Sequence, residues 1–546
     1  VQETITAAPL ATVPVRSPRP APDRRVRRAF LAALVAFFGI GAGWALALPV
    51  NGTYDENEHI VRAYGVASGQ VYAKSGTEQV PVSLMPGDVQ CQWQQRVPAS
   101  CQVPAPADQH RVTMPTNAAG YSPVYYLPVG LPMLISPTYG GIIAGRLVSA
   151  LLSALALAGA IAIAVRLNNR LLIGGLVLVA TPLVMNLAGS INPNGLEISS
   201  AILLWCALLA LVRPVGAAVA PPGDGALPRV PVARNSAQTA ASPALPTHAL
   251  VVVTAVTAAL LMTIRHMGPV LLILVLATIL VLARPGRVRE LLRRRDMRWA
   301  AGIVFASGLL AVVWILTSGV TKITPFPTRT HAYGPFSTLR QIAVVRMPFY
   351  VQQIVGQFSY GETTLPSWVI IAWYMMLAAL VLPAMLFVGR RYWLAALGLF
   401  VACLGVLVVL EFAFIHTAGW VAQSRYVLPS GVGVVLAACF VRHWQAALDG
   451  AAGARLVRLA AVVAVPVHLY ALATVMTRFQ IGPSSMMQPF HGSWLPKGGP
   501  VPALAVEVVG LAVLTVLAWR GTRGSAAEPA PVAGRGGDAA TTAGLA

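Results

Sequence analysis

Residues 24–60 read RRVRRAFLAALVAFFGIGAGWALALPVNGTYDENEHI, and this stretch decides the class of the protein. Arg24, Arg25, Arg27 and Arg28 precede an uncharged, mostly apolar run over residues 29–49. About 20 such residues suffice to cross a bilayer as a helix. Ala45-Leu46-Ala47 resembles a signal-peptidase site. A signal-peptide core is only about 7–15 residues, however, so the longer run reads as a retained helix. The arginines before it place the N-terminus in the cytoplasm. Directly beyond it lies the densest acidic cluster of the chain, Tyr54-Asp55-Glu56-Asn57-Glu58-His59.

The rest of the chain extends this reading. Of 546 residues, 56% are hydrophobic and 10% charged, against about 25% charged in a soluble domain. So little charge excludes a cytosolic enzyme, a secreted disulfide scaffold and a disordered regulator. Eleven further apolar runs qualify as spans: 142–165, 171–189, 196–213, 247–264, 268–284, 300–320, 367–388, 393–415, 427–442, 456–476 and 501–519. The stretch 124–136 is apolar but short and broken by prolines, and reads as interfacial or re-entrant. The expected fold is an all-α polytopic membrane protein of about twelve helices.

The net charge of +21 invites a nucleic-acid reading, but the placement of the charges argues otherwise. With alternating spans, 26 of the 39 Lys and Arg fall on the cytoplasmic side, seven of them between Arg284 and Arg298. That is a topology signal, and nucleic acid is not needed to explain it. The expected organisation is a disordered cytoplasmic segment 1–28 and a transmembrane module 29–213 with a first outer loop at 50–141. A flexible cytoplasmic linker 214–246 follows, then a second module 247–519 with outer loops 320–366 and 477–500, and a disordered cytoplasmic tail 520–546. No internal repeat is evident.

Cys91 and Cys101 share the first outer loop, an oxidising location where a disulfide is expected. Charged groups within the spans are few, namely Arg146, Glu197, Glu411 and Glu507, all toward the outer ends. Such groups are functional candidates, with snorkelling to the interface as the alternative. The carboxylates of the acidic cluster can deprotonate a hydroxyl as general base. Asp55, Glu56 and Glu58 can alternatively hold a hard divalent cation, or belong to a solvated loop start. Tyr121-Ser122-Pro123-Val124-Tyr125-Tyr126-Leu127-Pro128 suits a headgroup-level aromatic belt or the approach of a lipid-linked sugar. Asn192-Pro193-Asn194-Gly195-Leu196-Glu197 forms a tight outer turn. Gln423-Ser424-Arg425-Tyr426-Val427-Leu428-Pro429 puts an arginine on the side opposite the basic excess, able to grip phosphate or to pair with Glu411.

Together these four motifs resemble the bacterial membrane family known as domain of unknown function 2142, grouped with the GT-C glycosyltransferases. Typical members show Pro-Asp-Glu-Pro-x-His after the first helix, Pro-Pro-x-Tyr-Tyr-x-Pro before the second, Ser-Pro-Asp before the fourth and Gly-Arg-Tyr-x-x-Pro late in the chain. Here the first keeps Asp55, Glu56 and His59 but loses both prolines, and the second matches at Pro123, Tyr125, Tyr126 and Pro128. The third has Asn194 where aspartate is usual, and the fourth keeps Arg425, Tyr426 and Pro429. The resemblance runs from about residue 30 to about 445.

That resemblance implies a GT-C-like bundle in a bacterial inner membrane, with an extracytoplasmic active site. It implies transfer of a sugar from a polyprenyl-phosphate donor to an envelope glycan, lipid or protein acceptor, with inversion. Asp55 or Glu56 would be the base and Arg425 and Arg146 the donor-phosphate ligands. Glu58, His59, Tyr125, Tyr126, Asn194 and Tyr426 would line the substrate site. The Ala-, Arg-, Gly- and Val-rich composition and the Val1 start fit a high-GC actinobacterium, where decaprenyl-phosphate arabinofuranose or mannose would be the donor. A transporter or flippase for lipid-linked glycans and a structural scaffold are the competing classes.

Overall fold

The structure, a computed structural model, describes residues 23–72, 76–213, 247–319, 330–448, 451–484 and 486–522. Helix α1 (Arg24–Ala47) starts where the Asp23 carboxylate accepts a hydrogen bond from the Arg25 backbone N–H at 3.0 Å. The last five residues of the segment expected to be disordered are therefore helical. The first loop then folds into α2 (Glu56–Ala67), a hairpin of β1 (Thr77–Pro81) with β2 (Arg111–Pro115), and a short α3 (Cys91–Gln94). A disulfide joins Cys91 to Cys101. The stretch read as interfacial is helix α4 (Pro123–Ile135), begun by Ser122 and Pro123. Thirteen residues rise only about 20 Å, too little to cross.

The run 142–165 becomes α5 (Tyr139–Arg166), and 171–189 becomes two helices, α6 (Arg170–Val179) and α7 (Pro182–Ala188), bent by 69°. Pro182 has no N–H to continue the ladder, and Thr181 caps the new helix through Val184 N–H. The single span expected there is thus broken. After α8 (Pro193–Val212), the linker 214–246 lies outside the described residues, as does most of the tail. Next come α9 (Thr247–Ile264), α10 (Gly268–Leu282), a basic α11 (Pro285–Arg293) turned by 120° and α12 (Arg295–Ser318).

The later loop carries α13 (Pro335–Gln341), a π-helical turn, α14 (Met347–Gly356) and a two-residue pairing of β3 (Gln357–Phe358) with β4 (Thr363–Thr364). Then follow α15 (Ser367–Met385), α16 (Arg390–Phe414), α17 (Leu428–Ala438), α18 (Arg442–Ala447), α19 (Ala451–Ile481) and α20 (Pro500–Thr522). Among the described residues, nine helices are long and apolar enough to cross a membrane. The other three expected spans are helical but short or broken: α6 with α7, α10 and α17. The molecule is a polytopic helical membrane protein.

One hydrophobic core runs from Ala33 to Ala518, so the two expected modules share an interior. Helix α1 packs closely on α20, where a Cβ on Gly39 would stand 2.9 Å from the Gly510 Cα. Small residues permit this approach where no hydrophobic force draws helices together in lipid. Polar ties mark the two ends of the bundle. Arg166 meets Asp23 at one end, and the first loop meets α5, α19 and the 424–426 turn at the other.

Candidate functional site

The loop end gathers the charged side chains, and α2 decides how they divide. Asp55 stands at the N-cap with φ of 56°, yet its side chain makes no capping bond. An N-cap aspartate ordinarily accepts from the next turn's N–H groups. Here the carboxylate turns away to Arg425 Nη2 at 2.5 Å. Asp55 keeps 41% of its side chain exposed, while Arg425 keeps 2%. The neighbouring backbone is fixed from elsewhere, since Asp55 N–H donates to the Tyr360 hydroxyl, which in turn donates to Asn51 Oδ1.

Arg425 occupies a 3₁₀ turn, Ser424–Tyr426, before α17. Gln353 of α14 holds that turn, its Oε1 accepting from Ser424 N–H at 2.7 Å and from the Ser424 hydroxyl at 3.0 Å. The guanidinium lies 4.5 Å from the Tyr54 ring centroid, a cation–π distance. Its Nε and Nη1 are buried without a hydrogen-bond partner. Buried donors left unpaired cost about 1–3 kcal/mol each, so this arginine is built to receive an acceptor. The sequence left Glu411 open as its partner, but Glu411 instead binds Arg346 at 2.9 Å and the Tyr350 hydroxyl at 2.5 Å.

Glu56, one residue on, has the opposite surroundings. Its two oxygens take Arg146 Nε at 2.7 Å and Nη2 at 2.6 Å, and Oε1 also accepts from Ile191 N–H. The remaining Arg146 donors go to the carbonyls of Ala45, Leu48 and Pro49. Both side chains are fully buried. Neither can take a hydroxyl or a phosphate, so Glu56 as base and Arg146 as phosphate ligand are corrected: the pair seals the end of α1 to α5.

The other expected residues also separate. Glu58 accepts from Asn117 N–H at 2.7 Å, and burial, reinforced by the Asp55 charge, raises its carboxyl above the usual range. The three acids of the cluster thus take three different partners, and among the described residues no three His, Cys, Asp or Glu are grouped to hold a metal ion. His59 is buried with Nδ1 2.8 Å from the Tyr126 hydroxyl. Burial, with the charges of Arg265 and Arg425, pulls its imidazole down to about 3. Tyr125 bonds Ser149 and the Ser190 carbonyl within the packing, so a substrate role for it is corrected. Asn194 is buried and donates to Glu197 Oε2 at 3.0 Å. Tyr426 lies between two guanidiniums, 5.4 Å from Arg425 and 4.9 Å from Arg265.

Arg265 was not foreseen. It sits in the three-residue gap between α9 and α10, and its place between two apolar runs was the available signal. Tyr54 and Tyr360 were equally unmarked as supports of the pair. Two expected polar groups lie elsewhere: Glu507 is buried in α20 beside Gly43, and Glu411 serves the later loop. Deep in the bundle, His468 packs edge-on to Trp373.

Fold and site together define a polytopic membrane protein whose buried arginine–carboxylate pairs gather at one end. Residues 38–222, about a third of the chain, match the model of the family described as "Predicted membrane protein (DUF2142)", the family its motifs resemble. No curated protein matches the chain. Two solved structures are similar, both of ArnT from Cupriavidus metallidurans. The apo form is 13% identical with a TM-score of 0.40, covering 92% of this chain and 78% of that one. The form bound to undecaprenyl phosphate is 14% identical with a TM-score of 0.37, covering 91% and 76%. Neither likeness is close enough to carry a residue or an activity across.

Proposed function

We propose that this protein is a GT-C-type glycosyltransferase of a bacterial inner membrane. It takes a sugar from a polyprenyl-phosphate donor, with decaprenyl-phosphate arabinofuranose or mannose as candidates. It passes that sugar to an envelope glycan, lipid or protein acceptor, with the loop end facing outward and both termini in the cytoplasm. The observation that carries this reading is the Asp55–Arg425 pair, a half-exposed carboxylate on a buried arginine with two free donors.

In the reaction, Asp55 accepts the proton of the acceptor hydroxyl as its oxygen attacks the anomeric carbon. The bond from that carbon to the phosphate oxygen breaks, and the electron pair leaves on the polyprenyl phosphate. Arg425 meets the growing negative charge through Nε and Nη1 while Nη2 keeps the base in place. A flippase would need polar groups along its whole depth, whereas the buried ion pairs among the spans cluster at the loop end. The test uses purified protein in lipid nanodiscs with labelled polyprenyl-phosphate sugars and an envelope extract as acceptor. Transfer should release free polyprenyl phosphate, and Asp55→Asn should cut it about 10²–10⁴-fold. Passage of intact donor across proteoliposomes without release would replace this reading with transport.

A further inference from the structure

Beside the Asp55–Arg425 pair lies a second set of unsatisfied polar atoms. Arg265 is 6% exposed, and its Nε is buried without a partner. Its one carboxylate, Glu197 Oε2, stands at 3.4 Å, while Glu197 Oε1 is itself unpaired. The Nδ1 of His266, next in sequence, is also buried and unpaired. Through their shared neighbour Tyr426, the Arg265 and Arg425 guanidinium carbons lie within about 10 Å of each other. Each already has one carboxylate, Glu197 for Arg265 and Asp55 for Arg425, and each keeps a buried donor that no group fills.

A cavity of about 200 Å³ opens at Arg265. Its walls are the start of α4, the end of α9 and the middle of α12, with Tyr121, Met262, His266, Leu310 and Trp314 among the lining. Trp314 closes the loop-end side, stacked on Tyr72 at 4.8 Å and donating from Nε1 to the Gly120 carbonyl at 2.8 Å. Val124 of α4 and Leu310 of α12 line the cavity and are themselves exposed, and Leu127, Leu131 and Leu309 are further exposed apolar side chains of the same two helices. Sites that enclose a whole drug-sized ligand have about 300–1,000 Å³. This cavity suits only the first part of a long chain, whose remainder would run into the bilayer.

We propose that Arg265 and Arg425 together hold the phosphate of a polyprenyl phosphate whose first isoprene units lie in the cavity between α4, α9 and α12. The assignment rests on the proposed transferase reading for the role of Arg425, and it moves the second phosphate ligand from Arg146 to Arg265. Arg265 faces the lipid chain and Arg425 faces the base, so the phosphate spans the boundary between them. His266 completes the polar end, and Glu197 ties Arg265 to α8.

The experiment is direct binding, separate from turnover: native mass spectrometry of the full chain released from nanodiscs, titrated with undecaprenyl phosphate. Arg265→Gln and Leu310→Trp should each weaken binding at least tenfold, the second by filling the cavity from an exposed position on α12. Undecaprenol, which lacks the phosphate, should bind no better to wild type than to Arg265→Gln. Unchanged affinity in both variants would overturn the assignment. So would equal competition by phosphatidylglycerol, which would make the site a general anionic-lipid contact. Sugar transfer with binding indifferent to Arg265 would sink this site and leave the transferase standing. Binding that follows the prediction in a protein without transfer would keep the site and sink the transferase.

Discussion

Asp55 and Glu56 are adjacent carboxylates, each paired to an arginine from a distant helix or turn, and the two pairs are built for different ends. Glu56–Arg146 is sealed, with each carboxylate oxygen bonded and the guanidinium also spread over three carbonyls. Asp55–Arg425 is left half finished, with one guanidinium nitrogen engaged, two unpaired and the carboxylate partly in solvent. A closed pair resists change because every desolvated group is compensated. An open pair stores binding capacity for a ligand that completes it. Residue type does not distinguish a structural arginine from a chemical one; the count of satisfied donors does.

The sharpest way to break this contrast is to remove one partner of the sealed pair. Arg146→Gln leaves a buried carboxylate uncompensated and should cost about 3–5 kcal/mol. Thermal unfolding in detergent should show the loss, with little folded protein recovered. If Arg146→Gln melts like wild type yet loses transfer, the roles of the two pairs are reversed.

Asp55→Asn should do the opposite. The amide can still accept from Arg425, and the site is partly in water, so the melting temperature should stay near wild type. Transfer should fall about 10²–10⁴-fold, the usual contribution of a general base. A variant that retains full turnover removes Asp55 from the chemistry.

The span pattern was legible in sequence because crossing lipid demands long apolar runs, and each of the twelve runs is helical. The break at Ala180–Pro182 was less visible because hydropathy does not register a missing N–H, and α17 is shorter than its apolar run. At the site, the acidic cluster and Arg425 stood out by composition and by charge on the unexpected side. What sequence could not do was separate Asp55 from Glu56. That depends on the helix starting between them, with Asp55 in a left-handed turn that sends the two carboxylates to different partners. Arg265 stayed hidden because its neighbours in space, Tyr121, Glu197 and Tyr426, come from three other segments.

Arg425→Lys sharpens the comparison at smaller amplitude. A lysine can keep the charge beside Asp55, but it lacks the planar fork that offers two further donors. Stability should change little, and kcat should fall on the order of 10²-fold, as when one donor to a developing oxyanion is lost. A fall confined to KM would mean that Arg425 binds the ground state only.

The smallest effect concerns how the open pair is supported in acid. His59, behind Asp55 on α2, is held neutral by burial, at about 3 against an ordinary 6.5. Below pH 6.5 the unfolded chain takes a proton that the folded one refuses, so stability falls as pH drops from about 6.5 toward 3. At pH 5 the loss from this group is about 2 kcal/mol. His59→Gln has no such proton to bind, so its melting temperature should decline less steeply between pH 7 and pH 5 than wild type. Parallel declines would show that the imbalance lies in other groups and that His59 does not link the loop to pH. A selective loss of transfer in His59→Gln, with melting intact, would instead bring the Tyr126–His59 pair into the open site.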